Sequence, residues 1–202
     1  MHVRLELATM IENYKNNASI EQYDKDYYEI IQFVDSIRED AGILELNMIC
    51  RLAYSWMPTI LREISPARWH HQPTDEVFWK LRNVNGFEGA LEFVDVMGKV
   101  APVNKSWVGT SKVLHFVNPE WFPIWDSRVA RVFSIKSSHK VNQKSTYVDY
   151  LTFIAKCPAQ LKDQAQHAVN KVIIGACSNL NPVCKTRAIE KVLFFEGRRQ
   201  KA

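Results

Sequence analysis

Glycine fills only 7 of 202 positions, and this scarcity restricts the available folds more than any other feature of the chain. Positive φ angles come cheaply only to glycine, and tight hairpins between antiparallel strands need them. Glycine at about half its usual share therefore argues against a sheet-rich fold. The apolar spacing points the same way. Leu44, Met48 and Leu52 recur at i, i+4 and i+8, and Pro58 ends or kinks that helix. Phe87, Ala90, Leu91 and Val94 follow a helical face, as do Tyr147, Val148, Leu151, Ile154 and Ala155. Ala188, Ile189, Val192 and Phe195 form another, and an earlier helix is expected between Tyr23 and Ile37. Val3, Leu5 and Leu7 are the one strand-like alternation.

Breaks fall at Ser65-Pro66, Gln72-Pro73, Asn85-Gly86, Ala101-Pro102, Asn118-Pro119, Phe122-Pro123, Cys157-Pro158 and Asn181-Pro182. The pieces between them have helix length. The expectation is an all-α, compact array of about nine or ten helices. It spans residues 1–202 as a single globular unit, either one body or two lobes with a cleft near 105–133. The apolar share of 47% and charged share of 24% are those of a globular chain, which argues against disorder. No apolar run approaches the roughly 18 residues of a membrane span. Glu6, Glu12 and Lys15 interrupt the start, unlike a signal peptide. Cys50, Cys157, Cys177 and Cys184 lack a framework spacing and read as free thiols in a reducing cytoplasm.

Charge is unevenly distributed. Residues 1–125 hold 12 Lys and Arg against 17 Asp and Glu, whereas residues 126–202 hold 14 against 5. A basic C-terminal half suits a polyanion-binding face, or simply a charged helical surface. The run from Arg128 to Lys144, with Arg131, Lys136 and Lys140, contains no acid.

The chemistry concentrates between residues 105 and 133. Gly109 suits a tight backbone turn, and a helix should follow from about Thr110 to Val117 with Lys112 in its first turn. Pro119 and Pro123 bracket an aromatic linker, and Asp126 stands at the N-cap of the next helix. A lysine at a helix N-terminus meets the positive end of the dipole. The same field, with partial burial, favours the neutral amine, the form able to attack carbon.

Gly109-Thr110-Ser111-Lys112, a short helix, then Pro123-Ile124-Trp125-Asp126-Ser127-Arg128-Val129 resembles the helix-hairpin-helix DNA glycosylase superfamily. The branch it looks most like is the bacterial 8-oxoguanine DNA glycosylase-like proteins. That resemblance implies a partner, duplex DNA with a damaged or flipped-out nucleotide, and an activity in DNA repair. By it, Lys112 would be the nucleophile at the sugar C1′ and Asp126 the carboxylate assisting the attack. Gly109, Thr110 and Ser111 would lie at the phosphate-holding turn, and Lys105, Arg128 and Arg131 would contact DNA. A nucleoid-associated cytoplasmic location would follow. The hairpin has one glycine where the superfamily usually has two, and the Lys-to-Asp spacing of 14 is shorter than usual. The iron–sulfur cysteine set of some members is missing.

Simpler roles stand beside these. Asp126 also reads as a plain helix cap, and Lys112 as a surface lysine. His115, at i+3 from Lys112, is either a proton carrier in the same groove or a core histidine. Trp107 and Trp125, with Trp121, are core aromatics or stacking surfaces for a base. His70-His71 beside Trp69 lacks the spacing of a metal site, and no cofactor is expected. The rival from another class is a non-catalytic module of the same fold. It would bind nucleotide, nucleic acid or protein, within a bacterial defence system for example. A helical interaction protein without a pocket is the third.

Overall fold

A computed structural model describes residues 3–19, 22–37, 41–56, 61–65, 76–97, 101–176 and 181–200. Trp69, His70, His71, Cys177 and the breaks at Pro58, Pro66 and Pro73 lie outside the described residues. Those described form eleven helices and no strand. They are α1 (Val3–Asn17), α2 (Gln22–Asp35), α3 (Ile43–Ser55), α4 (Val77–Arg82), α5 (Gly86–Val96) and α6 (Trp107–Val117), followed by α7 (Ser127–Val132), α8 (Ser138–Val141), α9 (Lys144–Ala155), α10 (Ala159–Ala176) and α11 (Lys185–Arg199). One isolated antiparallel bridge joins Ile64 to Val103. The count exceeds nine or ten because α4, α7 and α8 have four to six residues each, too short to show periodicity. No helix among the described residues is long and apolar enough to cross a membrane.

One local expectation is corrected. Val3, Leu5 and Leu7 lie in a helix, because Leu7, Met10, Ile11 and Tyr14 continue at i, i+3, i+4 and i+7 and are all buried. The Leu44–Met48 stripe faces outward, with Leu44 71% and Met48 51% exposed. A competing stripe in the same helix, Leu46, Ile49, Cys50 and Ala53, is buried instead. Periodicity finds a helix here but not which of two apolar faces goes inside.

Two helices organise the packing. α6 lies against α2, α3 and α4, while α11 lies against α1, α7 and α10. Gly197 makes the α11–α7 contact close, because a Cβ there would collide with the Arg128 carbonyl. The Arg131 guanidinium fastens the same contact by donating to the Gly197 carbonyl. The N-terminus of α7 is thereby held beside the charged side chains of α11.

Candidate active site

The chain reverses before α6 at Asn104 and Lys105, whose φ angles of 50° and 54° are left-handed. Asparagine tolerates that region well, and its side chain adds the stabilising contacts. Asn104 Oδ1 accepts from the Arg62 and Glu63 amides at 2.7 and 2.8 Å. Lys105 is exposed and pairs with Glu63 at 3.2 Å. The turn expected at Gly109 therefore lies several residues earlier. Gly109 is inside α6, where its missing side chain admits the Tyr54 hydroxyl, which a Cβ would strike. The cap of α6 is Ser106, which accepts from the Gly109 amide and donates to Asn142 Oδ1 at 2.8 Å.

Thr110 and Ser111 are wholly buried and bonded inward. The Thr110 hydroxyl accepts from the Val103 amide at 3.4 Å. Ser111 Oγ accepts from the Trp125 amide at 2.9 Å and lies 3.2 Å from the Trp125 carbonyl. This short link has a large consequence. It pins residue 111 to residue 125, and the next residue of each chain segment, Lys112 and Asp126, lines one cleft. Asp126 is the N-cap of α7 as its sequence position suggests, with Oδ1 accepting from the Arg128 amide at 2.6 Å.

The cleft is walled by Tyr14, Trp56, Ile124, Phe194 and Phe195, and it carries Asp24, Lys112, Asp126, Arg187, Glu190, Lys191 and Arg198. Its free volume is about 50 Å³. That holds water but falls well short of the roughly 300 Å³ of a small-molecule pocket. Lys112 is 3% exposed, and its ammonium lies 5.3 Å from the centre of the Trp56 ring. Burial pushes the amine down to about 8, helped by Arg128 and Arg187 and opposed by Asp126 and Glu190. The helix dipole is not the cause expected from sequence. α6 starts at Trp107, which puts Lys112 in the second turn, beyond the strongest part of the terminal field.

Two ion pairs line the rest of the cleft. Arg187 and Glu190, 3% and 2% exposed, are bonded to each other one helical turn apart. The Arg187 guanidinium lies flat over Tyr27, 4.2 Å from its centroid, and reaches the Trp56 ring at 5.8 Å. Burial raises the Glu190 carboxyl above its ordinary range against the pull of Arg187 and Lys191. Lys191 pairs with Asp24 and so joins α11 to α2.

The accessory residues expected from sequence lie elsewhere. His115 is fully buried, with Nδ1 2.7 Å from the Phe122 carbonyl and Nε2 2.9 Å from the Tyr27 hydroxyl. A carbonyl only accepts, so Nδ1 carries the proton and Nε2 accepts from Tyr27. Burial lowers the imidazole to about 3, and it is a neutral core histidine. Trp107 stacks on Tyr147, and Trp125 donates its indole N–H to the Val141 carbonyl at 2.8 Å. Both are core, leaving Trp56 as the tryptophan at the cleft. Of the expected DNA-contact residues, Arg128 backs the cleft wall, 4.8 Å from the Phe194 ring centre. Arg131 is committed to α11, and Lys105 is paired away from the cleft.

Trp56, Arg187, Glu190, Lys191 and Asp24 were not apparent in the sequence as site residues. Only the polar triplet Arg187, Glu190 and Lys191, interleaved with the apolar positions of α11, offered a signal. No cluster of three or more metal-ligating side chains exists among the described residues. No known family matches the chain, and neither a curated protein nor a solved structure is significantly similar to it.

Proposed function

We propose that this chain is a DNA glycosylase/lyase-like protein of the helix-hairpin-helix class, acting on a flipped-out nucleotide or on the abasic sugar left when a base is lost. The observation that carries the reading is a buried lysine and a carboxylate lining one cleft, with burial drawing the lysine down to about 8. At pH 8 about half the amines hold a free lone pair, against roughly 0.3% for an ordinary lysine.

In the glycosylase step the Lys112 lone pair attacks C1′, and the bond to the base breaks with its electrons leaving on the base. Asp126 stabilises the positive charge that builds on the sugar. Loss of a proton from nitrogen and opening of the ring then yield a Schiff base. In the lyase step C2′ loses a proton and the 3′ phosphate departs with the electrons of the C3′–O bond. Water finally releases Lys112. An abasic sugar makes the smaller demand on a cleft of about 50 Å³, whereas a whole nucleoside requires side chains at the mouth to move.

The experiment is borohydride trapping on duplexes carrying 8-oxoguanine or an abasic site. The wild type should give a covalent adduct that Lys112→Gln loses entirely. No adduct on any lesion tested, or an undiminished one in the variant, rejects the enzyme. The narrow cleft and the internally bonded turn before α6 favour a second reading, a non-catalytic module of the same fold that binds nucleotide, nucleic acid or protein. Such a module would form no adduct, and in its nucleic-acid-binding form would retain DNA in a salt-sensitive way.

A further inference from the structure

The proposed lyase step needs a group to take the C2′ proton, and neither Lys112 nor His115 can serve. Lys112 is the atom bonded to C1′. His115 is enclosed behind Phe122 and Tyr27, with both ring nitrogens engaged. Among the described residues three carboxylates line the cleft. All three have partners, Asp24 the Lys191 ammonium, Asp126 the Arg128 amide and Glu190 the Arg187 guanidinium, but Asp24 ties α2 to α11 and Asp126 is already assigned to the charge that builds on the sugar. Glu190 lines the same cleft as Lys112 but comes from α11, and its charge acts on Lys112 after that of Asp126.

We propose that Glu190 is a third catalytic residue of this site, the base that removes the C2′ proton once the sugar is held by Lys112. The inference rests on the glycosylase/lyase reading. Its carboxylate oxygen takes the proton, the C–H electron pair becomes the C2′=C3′ double bond, and the C3′–O pair leaves with the phosphate. The iminium at C1′ draws off electron density meanwhile. Arg187, bonded to Glu190 and stacked on Tyr27, keeps the carboxylate aimed along one direction. Burial keeps its proton affinity above that of a surface glutamate. Besides burial, the charges acting on Glu190 are Arg187 and Lys191, which lower its proton affinity, and Asp126, which raises it, while Lys112 faces it across the cleft.

The test separates two readouts on one abasic duplex, the borohydride-trapped adduct and strand cleavage without borohydride. Glu190→Gln preserves size and an acceptor for Arg187. It should keep the adduct within about twofold while cleavage falls by about 100-fold, the scale of a lost general base. Glu190→Asp, which keeps the charge but withdraws it by one methylene, should retain the adduct and lose about tenfold in cleavage. It carries the test alone if Glu190→Gln does not fold. Cleavage that stays proportional to adduct in the folded variants overturns the role of Glu190 and leaves Lys112 standing. Absence of any wild-type adduct overturns the glycosylase reading itself.

Discussion

The turn into α6 and the cleft that follows it contain buried polar groups of opposite kinds. From Asn104 to Ser111 the polar groups are neutral apart from Lys105, and they bond to backbone nearby. Around the cleft that Lys112 lines they are charged, drawn from α2, α6, the head of α7 and α11, and gathered around a hollow. The first arrangement minimises the cost of burial, since neutral groups with partners lose little on leaving water. The second maintains that cost, since buried ions are strongly penalised even when paired. The lesson is that the turn is structural and the cleft is where stability is given up to hold charges out of water.

The largest test of this contrast removes one half of the Arg187–Glu190 pair. Arg187→Ala strands a buried carboxylate and should destabilise the fold by about 3–5 kcal/mol in chemical denaturation. A loss near that of an exposed pair would show that the two ions are not buried as described.

Lys112→Met should act in the opposite direction. The native amine titrates near 8 and the unfolded one near 10.5, so below about pH 8 both carry the proton and the fold bears the full penalty. Between those values the unfolded chain binds more protons, and wild-type stability rises with pH. The variant should therefore be more stable by roughly 3 kcal/mol at pH 7, with the advantage gone above about 10.5. Urea denaturation of both proteins at pH 7 and 10 measures it, and a gap that does not shrink with pH contradicts the assignment.

Ser111→Ala tests the link between the two regions. It leaves the Trp125 amide buried without its partner, a cost of about 2 kcal/mol. It also unties the segment of Lys112 from that of Asp126, so adduct formation should fall with stability. Unchanged adduct yield in the folded variant would mean that the link does not position the pair.

Much of this was legible in advance. The helices, the cap at Asp126 and the candidate pair Lys112 and Asp126 came from local spacing. What spacing left open was direction and depth. It did not say that Leu44 and Met48 face outward or choose between the groove and the core for His115, and Lys112 sits a turn deeper in its helix than expected. Each concerns a direction or a depth, which a helical period does not specify.

Local pattern was sufficient to make this chain helical, because backbone hydrogen bonds and apolar periodicity act over a few residues. Which charged groups share a cavity was decided by packing alone. Trp56, Lys112, Asp126 and Glu190 meet only because α3, α6, α7 and α11 converge on one cleft, and long-range electrostatics depends on distance in space rather than along the chain.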